Sequence, residues 1–231
     1  MNMAQFENLG INEGVESITE LYNKIAVEAE KLVCESYRES GKKVKFPIDI
    51  SLITKYLKIE VSRESLNMGG TFNYNRKLGM VTARNGQVHI LVDGDVSYKT
   101  RRYAIANGVG RYLLNQSKDI FKSNFAIPLI PQSLEEIAAD SIALFLLMPV
   151  TTFKEEFLFY LDDYVDRSER PLDVDEWLQY LSDKSQITLF NLAIGYQQMK
   201  QVLCYQRQEE FAKYDFDITK IPEDKYSKIF A

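Results

Sequence analysis

Two stretches decide the fold: RYAIANGVGRYLLN, residues Arg102–Asn115, and EEIAADSIALFLLMP, residues Glu135–Pro149. Each reads as a helix with a broad apolar face, over Arg101–Asn115 and Ser133–Met148, and Pro149 stops the second. Residues four apart share one helix face, so Asn107 and Arg111 point the same way, as do Glu136 and Asp140. Gly108 and Gly110 interrupt the first helix, at about 1 kcal/mol each relative to alanine. The whole chain holds one histidine, His89, which rules out any pair of histidine ligands within one copy.

Working outward, Val15, Ile18, Tyr22, Ile25, Ala29 and Leu32 recur at helical spacing and predict a long helix over 14–40, ended by Gly41 and the lysines after it. Pro47 breaks the chain, and Asp49 is placed to cap a short helix running through Tyr56. A first strand, KIEVS, follows. Three β-favouring segments come next, at 70–75, 78–83 and 87–93, with turns at Asn75–Lys77 and at Asn85-Gly86. The pattern predicts a small antiparallel meander. Downstream of the two decisive helices, further helices are expected over 152–164, 173–181 and 188–213. The tail from Tyr214 has no clear period. His89 alternates with Val88 and Ile90 and faces away from them, as a surface or satisfied strand histidine does. Phe153, Phe157, Phe159 and Tyr160 read as core and helix contacts.

Composition limits the functional classes. The chain has 231 residues, enough for a full core, and a net charge of −5 that argues against a general nucleic-acid-binding surface. The start, MNMAQFENLG, lacks the basic and apolar regions of a signal peptide. The longest strongly apolar run, Ile142–Val150, falls far short of the ~20 residues of a membrane span. Cys34 and Cys204 form no CxxC pattern and read as free thiols of a cytoplasmic protein. No glycine-rich phosphate loop is present, and Ser-His-Asp or Cys-His catalysis has only His89 to draw on.

The order of these elements resembles the ImmA/IrrE family of zinc metallopeptidases. That family shows an arginine-aromatic pair, then an Ala-His-Glu-Leu-Gly-His-Tyr-Leu-Leu helix, then a helix ending in Leu-Leu-Met-Pro. This chain keeps Arg102-Tyr103, Ala106, Gly110 and Tyr112-Leu113-Leu114 in the first, and Glu136, Ala139, Ala143 and Leu146-Leu147-Met148-Pro149 in the second. PIDISLITKYLKIEV upstream and the stretch 173–202 downstream are also similar, so the resemblance covers about 15–205. It implies an α+β, zincin-like (ImmA/IrrE-type) domain over 1–150, with a small antiparallel sheet and two core helices. A helical C-terminal extension, 151–231, packs on it.

The resemblance also implies a site. A zincin helix needs His-Glu-x-x-His, because histidines at i and i+4 grip one ion while the glutamate activates its water. The histidine positions fall on Asn107 and Arg111, the general-base position on Gly108, and the third ligand on Glu136. Only the last is retained, so zinc of the family type and peptidase activity are not expected, and no cofactor is. Gly110 matches the family glycine, where close approach of a neighbouring backbone is the natural reason. Gly108 reads as drift after loss of catalysis, or as a cleared pocket floor. Glu136 also fits a capping box with Ser133. Arg111 is expected to take the place of the ion and pair with Glu136 or Asp140.

The expected function is therefore that of an inactive ImmA/IrrE-like pseudo-peptidase. It would recognise a protein such as a helix-turn-helix repressor or antitoxin-type regulator of a mobile element, with no direct nucleic acid and no membrane. The recognition cleft is expected beside Asp140 and along strand 87–93, at Val88, Ile90 and Leu91, taken as an exposed sheet edge. Two alternatives stand beside it. One is a hydrolase with a rebuilt all-oxygen metal site from Asp93, Asp95, Glu136 and Asp140; the other is a small-ligand sensor using the vacated zinc cleft.

Overall fold

Helix α1, Ile18–Glu39, is built on one apolar stripe, and that stripe (Leu21, Ile25, Ala29, Leu32 among others) is buried. Ser17 caps it by accepting from the Glu20 amide at 3.2 Å. Gly41, at φ +69°, supplies the left-handed residue just past its end. Asp49 caps α2, Ile50–Tyr56, accepting from the Ser51 amide at 3.1 Å. The computed structural model describes residues 17–66, 77–84, 87–114, 120–122, 134–166 and 173–206.

The strands are β1 (Ile59–Glu64), β2 (Lys77–Arg84), β3 (Gln87–Asp93) and β4 (Ile120–Lys122). They form one sheet in the order β1-β3-β2-β4. The expected antiparallel meander is corrected here: the sheet is mixed, because β1 pairs with β3 in parallel while β2 runs antiparallel to both β3 and β4. Helix α2 runs directly into β1, and β1 then lies beside β3 rather than joining β2 in a hairpin. The expected segment 70–75 lies outside the described residues. β4 has no counterpart in the sequence reading, because three residues carry no period to read.

The second half is helical: α3 (Tyr98–Leu113), α4 (Leu134–Leu147), α5 (Val150–Tyr160) with a π-turn over Leu161–Asp166, α6 (Val174–Ser185) and α7 (Leu189–Tyr205). α3 begins three residues earlier than its apolar pattern suggests, because Ser97 accepts from the Thr100 amide at 3.2 Å and caps it. Asp173 caps α6 in the same way. Pro149 separates α4 from α5.

Helix α3 is sandwiched, with β2 and β3 on one side and α4 on the other. Helix α7 packs on α1 and α4, and Gln206 donates to Asn23 at 2.8 Å. One buried cluster runs from Leu21 and Ile25 through Ile90 and Ile142 to Met199 and Val202. The helices after residue 150 thus share the core of the part before it. An aromatic nest joins α5 to α6, with Trp177 ringed by Phe153, Phe157, Tyr160 and Tyr180. Of the four aromatics read as core, Phe159 differs: it is 51% exposed, with the Lys184 ammonium over its ring.

Candidate functional site

The two glycines of α3 explain its place in the sandwich. They lie on nearly opposite faces of the helix. A Cβ on Gly110 would stand 2.6 Å from the Ala139 carbonyl oxygen, so the α3 and α4 backbones touch there. A Cβ on Gly108 would stand 2.8 Å from Ile90 Cγ2 on β3. Gly110 therefore has the backbone contact expected of it. The reading of Gly108 as drift is corrected, and so is its reading as a pocket floor, since Ile90 fills the space beneath it. Without a Cβ at 108 the helix settles onto the sheet.

A polar ladder runs along the α4 side of the same helix. Tyr103, Asn107 and Arg111 follow one another at four-residue spacing and share one stripe. The Tyr103 hydroxyl donates to Asp140 Oδ1 at 2.8 Å, and Asn107 Nδ2 donates to the same oxygen at 2.5 Å. Arg111 Nε donates to Asn107 Oδ1 at 3.0 Å. Asn107 and Arg111 are 4% and 7% exposed, so this network sits in the interior. Desolvation first, then the adjacent Asp140 carboxylate, push the Tyr103 phenol well above its usual range. It remains a neutral donor at any physiological pH.

Arg111 was expected to reach Glu136 or Asp140, and it is linked to Asp140 through the Asn107 amide. Glu136 lies one turn before Asp140 on α4 and is half-buried; its proposed capping partner Ser133 lies outside the described residues. Tyr103 was missed as a member of the site, although its spacing four residues before Asn107 was visible.

The residues do not fit the zinc of a zincin. Asn107 has both ends of its amide engaged, Arg111 is a cation, and Gly108 offers no donor atom. Among the described residues, no three His, Cys, Asp or Glu side chains gather closely enough to hold a metal ion. The rebuilt all-oxygen set is corrected on the same ground. Asp93 Oδ1 accepts from the Asp95 amide at 3.1 Å and Asp95 accepts from Ser65 at 2.6 Å, a turn at the end of β3 that is separate from the Asp140 ladder.

The expected recognition cleft is also corrected. β3 is an inner strand, flanked by β1 and β2, so its backbone cannot accept an incoming strand. Ile90 is fully buried under α3, while Leu91 alternates onto the opposite face with His89, and Val88 is half-buried. These residues and Asp140 do not line one surface. His89 is satisfied as expected, its Nδ1 lying 3.1 Å from Glu60 Oε2 on β1. A groove of about 420 Å³ between α1 and α5, lined by Val27, Glu30, Lys154 and Leu158 among others, shares no residue with the ladder.

Among the described residues, no single helix is long and apolar enough to cross a membrane. Helices α4 and α5 reach that length only as a pair bent by 54°, and much of α4 is core. No family model, no curated protein and no solved structure matches the chain.

Proposed function

We propose that this chain is a non-catalytic relative of the ImmA/IrrE zinc peptidases that works in the cytoplasm by protein recognition. Its partner would be a helix-turn-helix repressor or an antitoxin-type regulator of the kind carried by mobile elements. The reading rests on the order and spacing of the motif residues over about 15–205. One observation carries the loss of chemistry: the Asn107 amide is committed to Arg111 on one side and Asp140 on the other. A hydrolytic zinc needs neutral or anionic donors and a base beside the water it activates. The matching positions supply an engaged amide, a guanidinium and a bare glycine. No step of peptide hydrolysis can be routed through them.

The test pairs metal content with binding and cleavage. The chain, purified without chelators or a histidine tag, is analysed for metals and then mixed with a panel of helix-turn-helix regulators from its own genome. Saturable binding of one regulator, which stays uncleaved with or without added zinc, is the expected result. Near-stoichiometric metal that survives dialysis, together with cleavage of a bound regulator, would overturn the reading.

A further inference from the structure

Strand β1 is exposed to solvent along nearly its whole length. It is the terminal strand of the sheet, and Glu60 through Ser65 are all exposed, with Val61 at 37%. No other described strand pairs with its outer edge, and an open edge of this length is a template for another strand.

The hydrogen-bond phase of that edge can be derived. The Gly94 amide donates to the Glu64 carbonyl at 2.9 Å, continuing the ladder in which Glu64 stands opposite Asp93. In a parallel pair, alternate residues turn both backbone groups toward the neighbour. Glu64, Ser62 and Glu60 therefore face β3, and Ile59, Val61 and Arg63 direct their N–H and C=O groups outward.

This phase restricts how two copies of β1 could meet. In an antiparallel pair, opposed residues must both face the partner or both face away, so the two-fold axis must pass through a residue rather than between residues. Centring on Glu60 sets that carboxylate against itself. Centring on Ser62 opposes Glu60 to Glu64 twice, and centring on Arg63 opposes two guanidiniums. Like charges directly opposite destabilise a strand pair. Centring on Val61 avoids every such clash: Val61 meets Val61, Ile59 meets Arg63, Glu60 meets Ser62, and Glu64 comes near Lys58, which lies just before the strand at φ +56°. All the outward backbone groups are then paired.

We infer that β1 is a self-association edge, and that two copies join antiparallel across Val61 to extend one sheet through the dimer. The charges that guard this edge against foreign strands also select that register. One short strand per copy covers little area, so the dimer is weak and concentration-dependent.

Sedimentation velocity over a concentration series should show reversible dimerisation. Glu64→Lys, which sets like charges against Lys58 twice, should weaken it about tenfold. Adding Lys58→Glu should restore it, with circular dichroism confirming that both variants are folded. In a Cys34→Ser, Cys204→Ser background, Val61→Cys should form an intermolecular disulfide on mild oxidation. Opposed Cα atoms in a bonded antiparallel pair stand about 5.5 Å apart, within disulfide reach. Ser62→Cys should not cross-link, since its own copy would lie beyond about 7 Å. A folded monomer at all concentrations would overturn the inference, as would a dimer that ignores Glu64→Lys and fails to cross-link at Val61. A monomer that captures extended peptides of other proteins at β1 would also overturn it.

Discussion

Asn107 Nδ2 on α3 donates to Asp140 Oδ1 on α4 at 2.5 Å, while the other end of the same amide accepts from Arg111 Nε at 3.0 Å. A single uncharged side chain thus stands between a carboxylate and a buried guanidinium and bonds to both. Asn107→Leu keeps the approximate volume and removes both bonds. It leaves the Nε of Arg111, a residue only 7% exposed, without its acceptor. Losing two hydrogen bonds from a buried network, one of them to a charged donor, should cost about 2–3 kcal/mol in urea unfolding. A loss below about 0.5 kcal/mol would show that Arg111 had found another acceptor.

Gly108 and Gly110 predict different responses to the same substitution. Gly110→Ala drives a methyl into the Ala139 carbonyl oxygen, which is backbone and cannot yield without parting the two helices. The expected cost is about 3 kcal/mol, and no side-chain truncation should rescue it. Gly108→Ala meets the Ile90 side chain instead and should cost about 1–2 kcal/mol, the overpacking outweighing the helix propensity gained. In an Ile90→Ala background the same change should become stabilising. A double-mutant cycle with no coupling between positions 108 and 90 would refute this account of why the helix carries a glycine there.

Those contacts show what the sequence could and could not convey. The helices were legible because apolar spacing and a cap such as Asp49 act locally. The approach of α3 to α4 was legible at Gly110, since a glycine inside a helix asks for a close neighbour. Gly108 asked the same question and was misread, because its neighbour is a side chain on a strand nearly twenty residues away in sequence. The neighbours of β3 were lost for a related reason. An alternating strand shows which residues share a face, but not whether its backbone is paired on both edges. Here the parallel partner β1 is supplied by a segment that precedes β2. Tyr103 was overlooked because its role depends on Asp140, on another helix.

Arg102 is 5% exposed and holds three parts of the chain together from the first turns of α3. Its Nη2 donates to the Ile48 carbonyl at 2.8 Å and to the Ser185 carbonyl, at the end of α6, at 3.3 Å. A cation at the C-terminal end of a helix is favoured by the helix dipole. Arg102→Met keeps the apolar stem and removes both donors, and should cost about 2–3 kcal/mol. Hydrogen exchange should accelerate first in the last turn of α6 and around Ile48. Uniform acceleration across the chain would mean that Arg102 acts only through global stability.

Asp49 gives a pH dependence with a defined sign. Its partial burial pushes the carboxyl upward, but the Ser51 hydroxyl and amide and the Lys42 ammonium at 3.5 Å outweigh that and hold it below its ordinary value. A carboxylate whose folded value is depressed adds stability that is present above its unfolded value, near pH 4. That contribution is lost as pH falls through the lower, folded value. Asp183 is shifted in the same direction by the Lys99 hydrogen bond and then by Gln179, so it adds to the same acid limb. Asn caps a helix about as well as Asp does. Asp49→Asn should therefore change stability at pH 7 by less than about 1 kcal/mol and flatten the decline below pH 4. Urea unfolding of both proteins from pH 7 to pH 2.5 separates the cap from the charge. If the two curves stayed parallel through the acid range, Asp49 would be acting as a hydrogen-bond acceptor alone.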